Sequence, residues 1–162
     1  MSGNLKKNFF YLLFVVLIFA ADRVSKTIIL NFFETSEFTS IKINSFLNFS
    51  LVWNNGIAFG LLSLDENFYY NILTLIILFI TIIIIFLALK TSDFLKKLSY
   101  FMIAGGASGN IFDRLYFSSV VDFIDITYNN FHWFIFNVAD IFITLGVILL
   151  IYAEIFLKNK KI

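Results

Sequence analysis

The chain has no cysteine, no proline and a single histidine, His132. Without cysteine there is no disulfide, no thiolate nucleophile and no cysteine metal site, and cysteine usage carries no information on redox compartment. One histidine excludes a metal site built on several. No metal and no other cofactor is expected. Charge is scarce as well: 14% of the 162 residues are charged against 60% hydrophobic, and the formal net charge is +1. Nucleic-acid partners are not expected, because they demand a basic patch. Mean hydropathy is +0.89, far above the soluble range, and reads as a membrane protein. Phenylalanine occurs 23 times; that skew is compositional and assigns no function.

The length fits one domain, 1–162. Lys6 and Lys7 before an apolar run resemble the start of a signal peptide. No small-residue cleavage pattern follows, however, and apolar character resumes after a brief polar break. An uncleaved first transmembrane helix over about 9–31 is expected. Asp22 then lies about 20 Å beyond Phe9, near the far end of a roughly 30 Å span. Asp22 and Lys26, four apart, share a helix face and can pair.

Residues 34–67 form an outer loop whose alternation around 38–47 suggests short strands. It contains Asn54-Asn55-Gly56, a strong turn signal. Residues 68–89 carry no charge and are long enough to span. A third helix, about 98–114, shows a small-residue face of Gly105, Gly106, Gly109 and their Ala and Ser neighbours, which lets helices approach closely. A loop over 115–133, part strand, holds Asp122 and Asp125. A fourth helix, about 134–157, would place Asp140 about two turns inside its start.

Four spans put both termini on one side. Lys6, Lys7, Lys90, Lys96, Lys97, Lys158, Lys160 and Lys161 fall on one set of flanks, and Lys42, Arg23, Lys26 and Arg114 on the other. That asymmetry expects both termini in the cytoplasm and the two long loops outside. Asp22, Asn54, Asn110, Asp113, Arg114, Asp122, Asn137 and Asp140 then share one depth, near the outer membrane surface. An aspartate in a span costs roughly 2.5 to 3.5 kcal/mol on insertion scales, so their clustering points to a site. Asp113 and Arg114 are adjacent on a helix, about 100° apart. Different partners are expected, loop backbone for Asp113 and substrate for Arg114.

The candidate nucleophiles are a hydroxyl or an activated water. A Ser/His/Asp triad would require His132, which beside Trp133 reads more simply as a loop or interfacial residue. Ser108 with Lys26 is a weak dyad. Paired aspartates are better supplied. Two close carboxyls cannot easily both ionise, so one takes a proton from water while the other donates one to the scissile group. The pattern leaves open which two of Asp22, Asp113, Asp122, Asp125 and Asp140 pair.

Five stretches carry a resemblance: Asp22-Arg-Val-Ser-Lys26, Asn54-Asn-Gly-Ile-Ala-Phe-Gly60, Gly105-Gly-Ala-Ser-Gly-Asn-Ile-Phe-Asp-Arg114, Val120-Val-Asp-Phe123 and Phe136-Asn-Val-Ala-Asp140. Together, in this order, they resemble the signal peptidase II family of bacterial membrane aspartyl proteases. The resemblance implies four transmembrane helices with a small extracytoplasmic β-cradle. It implies a catalytic dyad of Asp122 and Asp140. Asp22, Lys26, Asn54, Gly56, Asn110, Asp113, Arg114, Asn137 and Ala139 are implied to support the dyad or bind substrate. The implied substrate is a diacylglyceryl-modified prolipoprotein, cut just before its lipidated cysteine. Membrane phospholipids are the other expected partners, and a monomer is expected in the bacterial cytoplasmic membrane. An ion- or proton-coupled transporter would need polar groups through the whole membrane depth. A non-catalytic assembly subunit would leave Asp122 and Asp140 without a task.

Overall fold

The computed structural model describes residues 3–56, 67–128 and 131–157. Positions 57–60 of the Asn54–Gly60 stretch lie outside the described residues, as do Lys158, Lys160 and Lys161.

Four α-helices and four strands follow one another as α1 (Gly3–Glu34), β1 (Ser40–Lys42), β2 (Leu47–Asn54), α2 (Asn67–Lys90), α3 (Phe94–Phe117), β3 (Val120–Tyr128), β4 (Phe131–Phe136) and α4 (Val138–Tyr152). A π-helical turn, Ala153–Leu157, closes the described chain. α2 is rich in isoleucine, which by local preference favours strands. Helix satisfies every backbone group within the segment, and in an apolar surround that requirement wins. Two helical segments, Tyr69–Lys90 and Val138–Phe156, are long and apolar enough to cross a membrane. α1 and α3 are as long, at 32 and 24 residues, but hold charged residues at the site.

α3 is the central element and packs against α1, α2 and α4. Its glycines permit this. A Cβ at Gly106 would stand 2.5 Å from the Ala139 carbonyl oxygen, and one at Gly109 would stand 2.5 Å from Asp22 Oδ2. Asp93 caps the start of α3 by accepting the Lys96 N–H at 3.1 Å. Ser118, with φ 56°, turns the chain out of α3 in the left-handed region and delivers it directly into β3.

The strands form one antiparallel sheet in the order β1-β2-β3-β4. β2 pairs with β3 so that Val52 opposes Asp122 and Asn54 opposes Val120. Phe123 packs with Ile29 and Phe33 of α1, which seats the sheet on the end of the bundle. The fourth helix begins later than its apolar pattern suggests. Phe131–Phe136 pairs with β3 as a strand, and α4 starts at Val138. Asn137 is the reason. Its side chain accepts the Asp140 N–H while Asp140 accepts the Asn137 N–H, a capping box that sets the helix start. Asp140 therefore lies in the first turn of α4, not two turns inside it.

Much of the interior is polar and much of the exterior apolar. Lys26, Asn137, Asp22, Asp113, Asp122 and Asp125 are among the largest fully buried side chains, while Leu75, Phe79, Ile82 and Phe86 of α2 point outward. An apolar exterior of this extent marks a membrane or partner surface.

Candidate active site

The site is assembled where α1, α3 and the start of α4 meet β2 and β3. Asp113 and Arg114 fall at i+3 and i+4 from Asn110 on α3, so each neighbours Asn110 one turn on while the two diverge from one another. β3 presents Asp122, and the α4 capping box presents Asp140.

Asn137 joins the two aspartates. Its Nδ2 donates to Asp122 Oδ1 at 2.6 Å, and its backbone N–H donates to Asp140 Oδ2 at 3.2 Å. The remaining oxygens have amide donors too. Asn54 Nδ2 donates to Asp122 Oδ2 at 2.8 Å, and Asn110 Nδ2 to Asp140 Oδ1 at 2.8 Å. Both carboxyls are buried, with exposures of 2% for Asp122 and 5% for Asp140. Burial and, after it, the nearby charge of Asp140 push the Asp122 carboxyl up from 3.8 to about 7, against the pull of the Asn54 and Asn137 hydrogen bonds. Asp122 thus retains a proton far above the usual carboxylate range.

Behind this pair stands a network of full charges. Lys26 Nζ lies 2.6 Å from Asp113 Oδ2 and 3.0 Å from Asp22 Oδ2. It also donates to Asn110 Oδ1 at 3.0 Å. Arg23 closes the network, 2.7 Å from Asp22 Oδ2 and 2.6 Å from Asp113 Oδ1. Each acid also holds backbone of the site. Asp22 Oδ1 accepts the Ala139 N–H at 3.0 Å, and Asp113 Oδ2 accepts the Val121 N–H at 3.2 Å. One anchors the first turn of α4, the other the strand residue beside Asp122.

Asp113 and Arg114 do have different partners. Asp113 holds the β3 backbone as expected. Arg114 Nη2 donates to the Gly56 carbonyl, and its guanidinium lies 5.2 Å from the Tyr70 ring centre. Gly56 N–H in turn bonds Asn54 Oδ1 at 2.8 Å, closing a local turn at the end of β2. Arg114 Nη1 is buried with no hydrogen-bond partner among the described residues, and Arg114 lines a cavity with Asp140. The cavity measures about 380 Å³ and runs between α2, α3 and α4, walled by Ile80, Ile84, Ile103, Ile143 and Val147. A polar mouth thus opens onto an apolar channel.

All eleven residues singled out in the sequence enter this network. Asp125 does not. It lies three residues from Asp122 on β3, hence on the opposite face. It accepts from Asn48, Ser50 and His132, the last at 2.7 Å. Ser108 Oγ donates to the Gly105 carbonyl, and Lys26 is held by the acids, so no Ser/Lys dyad forms. Arg23 was legible only as a helix-end charge. Its place beside Asp22 was the one available signal, and the network with Asp113 depends on how α1 packs on α3.

The family model for signal peptidase (SPase) II matches residues 14–156. A lipoprotein signal peptidase of Pelagibacter ubique (strain HTCC1062) is 48% identical over 158 residues, covering 98% of this chain and 95% of that protein. One from Francisella tularensis subsp. novicida (strain U112) is 39% identical over 154 residues, covering 93% and 94%. Among solved structures, a bacterial membrane enzyme determined by the in meso method at 2.3 Å superposes with a TM-score of 0.74. It shares 33% identity and covers 93% of this chain and 89% of its own.

Proposed function

The chain belongs to the signal peptidase II family, and we propose that Asp122 and Asp140 are its catalytic dyad. It is an aspartic endopeptidase that removes the signal peptide from lipoprotein precursors, and the transporter reading is not favoured. The single observation that carries the dyad is Asn137, which bonds both carboxyls at once through its side chain and backbone.

Amide donors fix the two carboxyls without adding charge, so the pair can share one proton. The ionised member takes a proton from a water held between them, and the water oxygen bonds to the scissile carbonyl carbon. The protonated member gives its proton to the carbonyl oxygen, forming a tetrahedral diol. Collapse of that diol breaks the C–N bond: the carboxyl protonated in the first step delivers its proton to the leaving nitrogen, and the other, now ionised, takes a proton from a diol hydroxyl, which restores the singly protonated pair. Asn54, Asn110 and Asn137 orient the dyad. Asp22, Lys26 and Asp113 anchor the backbone on either side of it, with Ala139 as one anchor point. Arg114, steadied on Gly56, points a spare N–H toward the peptide carbonyls. The isoleucine-walled channel beside Asp140 suits the apolar segment or acyl chains of a diacylglyceryl-modified precursor, cut before its lipidated cysteine.

In this reading all four α-helices span the bacterial cytoplasmic membrane as one domain. The charges of α1 and α3 are tolerated because they neutralise one another. Both termini face the cytoplasm, the sheet and dyad lie at the outer face, phospholipids surround the bundle, and a monomer suffices because one chain supplies every group.

Purified protein should cut a diacylglyceryl-modified precursor and leave the unmodified precursor intact. Equal cleavage of both, or none by folded protein, would overturn the substrate assignment. In intact cells an impermeant thiol reagent should label Ser36→Cys and spare Ser92→Cys; labelling of the latter would reverse the topology.

A further inference from the structure

Two buried donors near the dyad lack an acceptor. Tyr70 Oη and Arg114 Nη1 have no hydrogen-bond partner among the described residues, and each residue is only 5% exposed. They are neighbours, with the Arg114 guanidinium 5.2 Å from the Tyr70 ring centre. Arg114 Nη2 donates to the Gly56 carbonyl, which holds the guanidinium in place. A buried donor that has given up water and gained no partner is costly. Native structures keep few of them, and each calls for something that completes it.

The pair stands at the head of the isoleucine-walled cavity. Arg114 is a lining residue, and so are Ile77, Ile80, Thr81 and Ile84 of α2. Tyr70, in the first turn of α2, recurs with Ile77 and Ile84 at every seventh residue, so the three lie on one face of that helix. Tyr70 is about 10 Å along the axis from Ile77. The Thr81 hydroxyl already donates to the Ile77 carbonyl at 2.8 Å. What the two donors suit is therefore an acceptor at the head of an apolar body. A signal-peptide helix satisfies its own carbonyls. A peptide carbonyl at the scissile bond can take one N–H of Arg114 Nη1, which leaves the second, since the guanidinium has five. An acyl ester has an acceptor carbonyl, no donor of its own, and a hydrocarbon chain attached to that carbonyl.

We propose that Tyr70 Oη and the second N–H of Arg114 Nη1 hold one ester carbonyl of the substrate's diacylglyceryl group, with its acyl chain in the cavity below. The inference rests on the reading of this chain as a peptidase of diacylglyceryl-modified precursors, and it names the group by which the lipid is recognised. A carbonyl oxygen has two lone pairs and can accept from both donors. Tyr70 is then a specificity-determining residue. It distinguishes an acyl ester from an alkyl ether of equal length, which has the same chains and no carbonyl.

The test uses the full chain and three forms of one precursor: diacylglyceryl-modified, dialkylglyceryl-modified with ether-linked chains of equal length, and unmodified. Wild type should cut the diester with a kcat/KM on the order of tenfold above that of the diether, as one or two buried hydrogen bonds supply, and leave the unmodified precursor intact. Tyr70→Phe should lower that preference by roughly two- to tenfold, with the loss in KM. Its melting temperature should not fall, because the phenylalanine removes a hydroxyl that has no partner. A lower melting temperature with the ester-to-ether ratio unchanged would make the hydroxyl structural and overturn the proposal. Equal cleavage of diester and diether by wild type, with the unmodified precursor spared, would also overturn it; the substrate assignment would stand, and water would be the acceptor of both donors. Cleavage of the unmodified precursor at the rate of the diester would instead remove the substrate assignment, and this inference with it.

Discussion

Two pairs of aspartates lie within one hydrogen-bonded network, and different chemistry holds each pair. Asp122 and Asp140 accept from Asn54, Asn110 and Asn137, all neutral donors. Asp22 and Asp113 lie against Arg23 and Lys26. The two sets meet at Asn110, whose side-chain oxygen accepts from Lys26 and whose amide nitrogen donates to Asp140. An amide positions a carboxyl without fixing its charge. A lysine or arginine at ion-pair distance favours the carboxylate. One pair is thereby suited to moving protons and the other to holding backbone in place.

The largest expected effect lies in the amide-held pair. Asp122→Asn and Asp140→Asn should each lower cleavage of lipidated precursor by three orders of magnitude or more, roughly as for other catalytic units, and the double variant should be no worse than either single. Asn137 and Asn54 would then face an amide where each now meets an acceptor, yet lipidated precursor should still bind. Near-normal turnover by Asp122→Asn would dissolve the distinction between the pairs.

The cation-held pair should fail differently. Asp113→Asn leaves Lys26 and Arg23 short of a buried partner, a type of loss that costs about 3–5 kcal/mol. Thermal melts should show that loss, with reduced folded yield, while the protein that does fold keeps its pH profile. A fully stable Asp113→Asn protein that is dead would move Asp113 into the catalytic group.

A smaller effect follows from protonation of Asp122. Its carboxyl is raised from 3.8 to about 7 by burial and the neighbouring charge, so the folded state binds that proton more tightly than the unfolded chain. The contribution to stability is complete below 3.8 and is lost as pH rises toward about 7. Activity needs the shared proton and should fall above about 7, with limbs belonging to the pair. Asp122→Asn should flatten the stability change over that window. An unchanged pH–stability curve in this variant would remove the raised carboxyl from the account.

The smallest effect is expected outside both pairs. Asp125→Asn changes a buried carboxyl on the other face of β3, held by Asn48, Ser50 and His132. It should weaken the sheet by about 1–3 kcal/mol and leave most of the turnover per folded molecule. Folded but inactive Asp125→Asn protein would show that the two faces of β3 act together.

Much was determined by the sequence alone. The uncharged run of α2 had to become a self-satisfied helix in an apolar surround. Asp22 and Lys26 had to share a helix face by spacing, and the adjacent Asp113 and Arg114 had to point about 100° apart. The five ordered motifs were sufficient to name the family. Tertiary structure decided what spacing cannot express. The capping box at Asn137 moved the start of α4 past residues that pair as β4, because an apolar run does not say whether it lies on a sheet edge or in a helix. Arg23 joined Asp22 to Asp113 only once α1 lay against Gly109 of α3. Asp122 was separated from Asp125 by the alternation of β3 and by which of its faces the bundle covers. The raised carboxyl of Asp122 required burial beside Asp140, and burial belongs to the assembled chain.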